Sequence, residues 1–97
     1  MLRSESETAA QDLRSLVAEA DVFDLAFSAE VDRLMREAGM TYRDLAARTA
    51  VTETRLWNRL HSGGFTAPEQ YRIARVLEVS LTDISARALI QVEEQAA

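Results

Sequence analysis

Apolar residues recur along this chain at helical intervals, and no stretch alternates apolar and polar as a strand would. From Ala9 to Ala20, Leu13, Leu16, Val17 and Ala20 repeat at spacings of three and four and predict a helix. Residues 1–10 are small and polar, so its start is expected to fray. Asp21 to Asp24 reads as a break, although Phe23, Leu25 and Phe27 also permit one long helix. A helix from about Ser28 to Ala38 follows, with Val31, Leu34 and Met35 inward and Gly39 as a left-handed cap. Thr41 with Asp44 forms a capping box for the next helix, whose Leu45 and Ala46 face inward. Thr52 caps a third, with Leu56 and Leu60 one turn apart.

Ser62-Gly63-Gly64 permits a sharp reversal. Thr66-Ala67-Pro68-Glu69 then opens a helix with a capping box and an early proline. Tyr71, Ile73, Ala74 and Leu77 are its apolar positions, and Val79 closes it. Ser80 with Asp83 starts a last helix through Ile84, Ala88, Leu89 and Val92. The reading is all-α, with an N-terminal extension over 1–22, a central domain over 23–85 and a helix end or tail over 86–97.

Length adds that 97 residues suffice for one modest core. With no cysteine, a disulfide framework, a thiolate metal site and a cysteine nucleophile are excluded. No apolar run reaches the roughly 18 residues of a membrane span, and Met1 to Glu7 lacks the form of a signal peptide. A cytoplasmic protein with no membrane partner is expected. No nucleophile–base set, phosphate loop or H-E-x-x-H motif is present, so no enzyme, cofactor or small-molecule substrate is expected.

The net charge is −5, but it is unevenly spread. Residues 1–30 carry −5, residues 31–78 carry +2 and residues 79–97 carry −2. All eleven basic residues are arginine, the side chain best suited to guanine and phosphate. The basic centre coincides with the short capped helices around Thr49-Ala50-Val51, where helix, tight turn and second helix follow one another. That arrangement presents a helix to the DNA major groove.

The run Gly39-Met40-Thr41, Asp44-Leu45-Ala46, Thr49-x-Val51-Thr52 and Leu56-x-x-x-Leu60 resembles the Cro/C1-type (XRE-like) helix-turn-helix domain. The likeness continues through Phe65-Thr66-x-x-Glu69, Ile73-Ala74-x-x-Leu77 and Val79-Ser80-Leu81-x-x-Ile84, covering residues 27–85. It is similar to small phage and actinobacterial regulators. The resemblance implies a lambda-repressor-like helical domain, sequence-specific binding of double-stranded DNA and a homodimer. The chain departs from the family at Ala50, where the turn usually has glycine, and at Glu53, where neutral polar residues are usual.

By position in the resemblance, the helix at about 52–61 reads bases. Glu53, Thr54, Arg55, Trp57 and Asn58 are the base-contact candidates. Glu53 suits cytosine, Asn58 adenine and Arg55 guanine or phosphate. Phosphate candidates are Thr41, Tyr42 and Arg43 at one helix start, with Thr52, Arg59, His61, Ser62 and Gly63. Arg48, Arg72 and Arg75 are expected in surface ion pairs. The expected function is a transcriptional regulator, repressor or Cro-like. The alternative is a protein-interaction module of the same fold, such as an antitoxin, antirepressor or adaptor.

Overall fold

A computed structural model describes the backbone of residues 5–96 and the side chains of residues 7–95. The expectation of fraying falls partly on residues 1–4, outside the described residues; from Glu5 onward the chain is helical. It folds as five helices, α1 (Glu5–Glu37), α2 (Tyr42–Thr49), α3 (Glu53–Ser62), α4 (Ala67–Leu77) and α5 (Leu81–Ala96). No strand forms among the described residues, so the protein is all-α. Among those residues no helix is long and apolar enough to cross a membrane.

The break considered at Asp21–Asp24 does not occur, and the two N-terminal helices are one helix of 33 residues. Phe23 packs against the core, Phe27 is fully buried, and their rings lie 6.4 Å apart. An unbroken helical register puts both on the inner face, which a kink at Asp21–Asp24 would disrupt. The boundary drawn at 22/23 therefore falls in mid-helix. Residues 86–96 continue α5, and Ala88 among them is completely buried.

The core joins all five helices. Phe27 and Val31 of α1, Leu45 of α2, Leu56 of α3, Ile73 of α4 and Ile84 of α5 are essentially inaccessible to water. Two apolar expectations fail: Tyr71 and Leu89 are at least half exposed. Each lies at the margin of its helix's buried stripe, where spacing alone does not separate flank from core.

Helix ends follow local chemistry. Thr41 and Asp44 form the capping box of α2, and Thr66 and Glu69 that of α4. α1 ends with Met40 N–H bonded to the Met35 carbonyl and Gly39 left-handed at φ 70°, the Schellman arrangement. α4 ends similarly, with Val79 N–H on the Ala74 carbonyl, but its left-handed residue is Glu78. α2 is closed by Ala50 at φ 58° and ψ 32°. A left-handed non-glycine residue costs about 1–2 kcal/mol, and glycine returns about 0.4–1 kcal/mol of that as unfolded-state entropy. Ala50→Gly is therefore expected to stabilise by about 0.5–1 kcal/mol, raising the melting temperature by a few degrees. A lower melting temperature would show that the alanine methyl packs favourably there.

Buried polar groups tie the helices together. Glu30 of α1, 6% exposed, accepts from Arg87 of α5 at 2.8 Å and pairs with Arg33. Its carboxyl is held below the usual range, chiefly by the Arg33 hydrogen bonds, which outweigh burial. Arg72, expected in a surface ion pair, instead donates from Nε to the Thr49 carbonyl at 2.8 Å. It thereby satisfies a backbone acceptor at the end of α2.

Candidate nucleic-acid interface

α3 is amphipathic in the sense a groove-reading helix needs. Leu56 and Leu60 are buried, while Glu53, Thr54, Trp57, Asn58 and His61 are exposed. These five positions follow the helical repeat and form one outward face. Thr52 starts the helix, its Oγ1 accepting the Arg55 N–H at 3.2 Å.

Three neighbours hold α3 in place. Ser28 of α1, fully buried, donates from Oγ to the Arg59 carbonyl at 2.8 Å. Asp24 of α1 accepts the Gly64 N–H at 3.0 Å, fixing the turn after α3. Glu69 of α4 grips Arg55 through two hydrogen bonds, at 2.5 Å to Nε and 3.1 Å to Nη2. Glu69 is 5% exposed, and its carboxyl is lowered to about 2. The Arg55 hydrogen bonds are the largest cause, opposed by burial and assisted by the Thr66 N–H.

The sequence candidates thus separate into groups. Thr54 and Asn58 are exposed, and among the described residues no hydrogen bond occupies their side chains. Glu53 is exposed beside Arg43, with 3.9 Å between charged atoms, a separation that contributes little in water. Trp57, half exposed, stacks on His61 with centroids 4.1 Å apart and planes 25° apart. His61 Nδ1 lies 2.7 Å from the Trp57 carbonyl. A carbonyl only accepts, so Nδ1 carries the proton and donates. Arg55 directs two of its donors to Glu69, where the sequence reading aimed it at guanine or phosphate.

Several expected phosphate donors are already committed. Gly63 is buried, and its N–H goes to the Arg59 carbonyl at 2.8 Å. Thr41 exchanges hydrogen bonds with Asp44, whose carboxyl is lowered mainly by the Thr41 backbone N–H. The capping box leaves the N–H groups of Tyr42 and Arg43 for a ligand, as it leaves the first-turn donors of any helix. His61 and Ser62 remain exposed in the last turn of α3.

Two recesses flank Thr54. One, of about 340 Å³, is lined by Tyr42, Glu53, Thr54 and Trp57. The other, of about 250 Å³, is lined by Thr52, Thr54, Arg55, Asn58 and Arg59. The second is rich in donors and has no carboxylate in its lining. Arg59 forms no ion pair among the described residues, and its buried Nε–H has no hydrogen-bond partner. An unsatisfied buried donor on a cation normally finds an acceptor in a ligand or water.

Asp24, Ser28 and Glu69 are the positioning residues that sequence reading missed. Glu69 was visible as a capping residue, but its bond to Arg55 spans 14 positions and two helices. Asp24 and Ser28 carry no local signal for contacts 40 and 31 positions away. Comparison with protein-family models, curated proteins and solved structures gives no match.

Proposed function

We propose that this protein is a sequence-specific double-stranded DNA-binding transcriptional regulator, a repressor or Cro-like protein of the Cro/C1-type helix-turn-helix class. α3 enters the major groove, and the protein acts as a homodimer. The observation that carries this reading is α3 itself: a short helix fixed by three polar anchors, with Thr54 and Asn58 outward and a donor-rich recess alongside. Fixed geometry is what base readout needs, because hydrogen-bond fit to base edges fails with small displacements. Thr54 and Asn58 address bases. Arg59, Thr52 and the first turn of α2 address phosphates. Arg55 positions α3 through Glu69. The protein's overall acidity does not oppose this, since salt screens charges beyond about 8–10 Å.

Selection of bound duplexes from a random library at physiological salt tests the proposal. A repeated motif supports it, and no enrichment overturns it. Thr54→Ala with Asn58→Ala is expected to weaken binding to the selected motif by about thirtyfold or more, at about 1–3 kcal/mol per lost base contact. Its melting temperature should stay unchanged, because both side chains are exposed. Unchanged affinity would remove α3 as the reading helix.

One observation favours a second reading, a protein-interaction module. Half-exposed Trp57 lines a recess with Tyr42 and the acidic Glu53, and exposed aromatic anchors are a feature of protein interfaces. Retention of a protein partner that Trp57→Ala abolishes, with no duplex enriched, would establish it.

A further inference from the structure

The amino-terminal half of α1 has little cover among the described residues. Every described residue from Glu7 to Asp21 is exposed. Leu13 and Leu16 are each 61% exposed and Val17 is 53% exposed. α5 borders this segment along a groove lined by Val92 and Gln95 with Ser15, Ala18, Glu19 and Val22. A helix of about this length is marginal in water by itself.

These apolar residues are not scattered. Ala9, Leu13, Leu16 and Ala20 follow one another at spacings of four, three and four, and the same alternation continues into Phe23 and Phe27. One seam therefore runs along α1. Its carboxyl-terminal part is buried against the domain, and its first four positions are bare.

We propose that a second copy of this chain covers the bare seam, α1 against α1 in antiparallel orientation. The seam is its own complement in that orientation. Pairing positions whose numbers sum to 29 sets Leu13 against Leu16 of the second copy and Ala9 against Ala20. Large residues then fill the centre, and small ones let the two helices close at each end. Val17 falls beside Ala10 on one flank. An isologous two-fold contact requires this self-matching. Residues 7–21 carry Glu7, Asp12, Glu19 and Asp21 against Arg14 alone. In the antiparallel register Asp12 lies near Glu19 of the second copy, so the contact is expected to tighten as salt screens these like charges.

The dimer has a defined shape. At about 100° per residue, Asp24 and Ser28, which hold α3, lie on one flank of the seam, and the α5-facing residues lie on the other. A dyad perpendicular to the paired helices brings both α3 helices to one side of the dimer. With the dyad between residues 14 and 15 and a rise of about 1.5 Å per residue, the α3 attachments stand about 28–40 Å apart. One turn of duplex DNA, about 34–36 Å, falls within that span. The dimer stands without the DNA reading; only the half-site spacing rests on it.

Sedimentation equilibrium without DNA tests the contact. The wild-type chain is expected at twice its 10.8 kDa, and Leu13→Glu with Leu16→Glu at the single-chain mass, still folded and melting where the wild-type chain melts at concentrations too low for it to dimerise. A wild-type monomer at high micromolar concentration, or a double variant that remains dimeric, overturns the proposal. The chain has no cysteine, so disulfide trapping reads the orientation without background. Ala9→Cys with Ala20→Cys is expected to cross-link two chains on mild oxidation, and Ala9→Cys alone is not. Cross-linking by Ala9→Cys alone would replace the antiparallel pair with a parallel one. Failure of the wild-type chain to enrich DNA would leave these outcomes unchanged, so the two proposals fail separately.

Discussion

Arg55→Ala is expected to cost about 2–3 kcal/mol and lower the melting temperature by roughly 8–20 °C. The change removes little apolar area. Among the described residues it leaves the Glu69 carboxylate, 5% exposed, with the Thr66 cap alone as a partner. Breaking a fully buried pair costs about 3–5 kcal/mol; the Arg55 side chain is 39% exposed, which lowers the figure. Glu69→Gln added to Arg55→Ala should restore part of the loss, because a neutral amide still accepts the Thr66 N–H and carries no charge to desolvate. Such non-additivity, measured by thermal denaturation, is the signature of a direct pair.

The same pair sets an acid dependence. The Glu69 carboxyl lies near 2 in the folded chain against 4.5 ordinarily. A carboxyl held low when folded binds protons more readily when unfolded. Its contribution is therefore complete above about pH 5 and fades as pH falls toward 2. Arg55→Ala should flatten this part of the stability–pH curve. An equally steep curve in the variant would assign the acid loss to other carboxylates, such as Glu30. Because Arg55 is tied to Glu69, its loss affects DNA binding through the seat of α3, so Thr54 and Asn58 give the cleaner functional test.

Gly63→Ala is the second large effect expected, about 3 kcal/mol. Gly63 sits at φ 79° and ψ −170°, a region essentially reserved to glycine, where other residues pay about 1–3 kcal/mol. A Cβ there would collide with the Asp24 carboxylate. Asp24 would have to move, giving up the Gly64 N–H it accepts, a loss of about 1 kcal/mol. Asp24→Ala in the same chain should relieve the collision but not the backbone strain, so the double variant recovers only part of the loss. Full recovery would mean that the left-handed backbone costs nothing. No recovery would mean that the collision is absorbed elsewhere. In either variant the end of α3 shifts against α1, and DNA affinity should fall with stability.

Local chemistry determined much of this protein from the sequence alone. The capping boxes at Thr41 and Thr66, the cap at Thr52, the left-handed turn at Gly39 and the inward Leu56 and Leu60 all involve residues within one or two turns of each other. Interactions of that range depend on spacing, which the sequence states directly. The polar face of α3 followed from the same spacing, since fixing Leu56 and Leu60 inward fixes what points out.

Tertiary structure decided the rest. The continuity of α1 through Asp21–Asp24 depends on burying Phe23 and Phe27 against the domain, which outweighs the break suggested by nearby polar residues. The direction of Arg55 depends on a glutamate 14 positions away. The seating of α3 depends on Asp24 and Ser28, which reach it across 40 and 31 positions. A charged side chain leaves no periodic trace of its partner, because charge pairing depends on distance in space and has no preferred separation in sequence. Burial does leave such a trace, so the helices and their inner faces were legible while the polar joints between them were not.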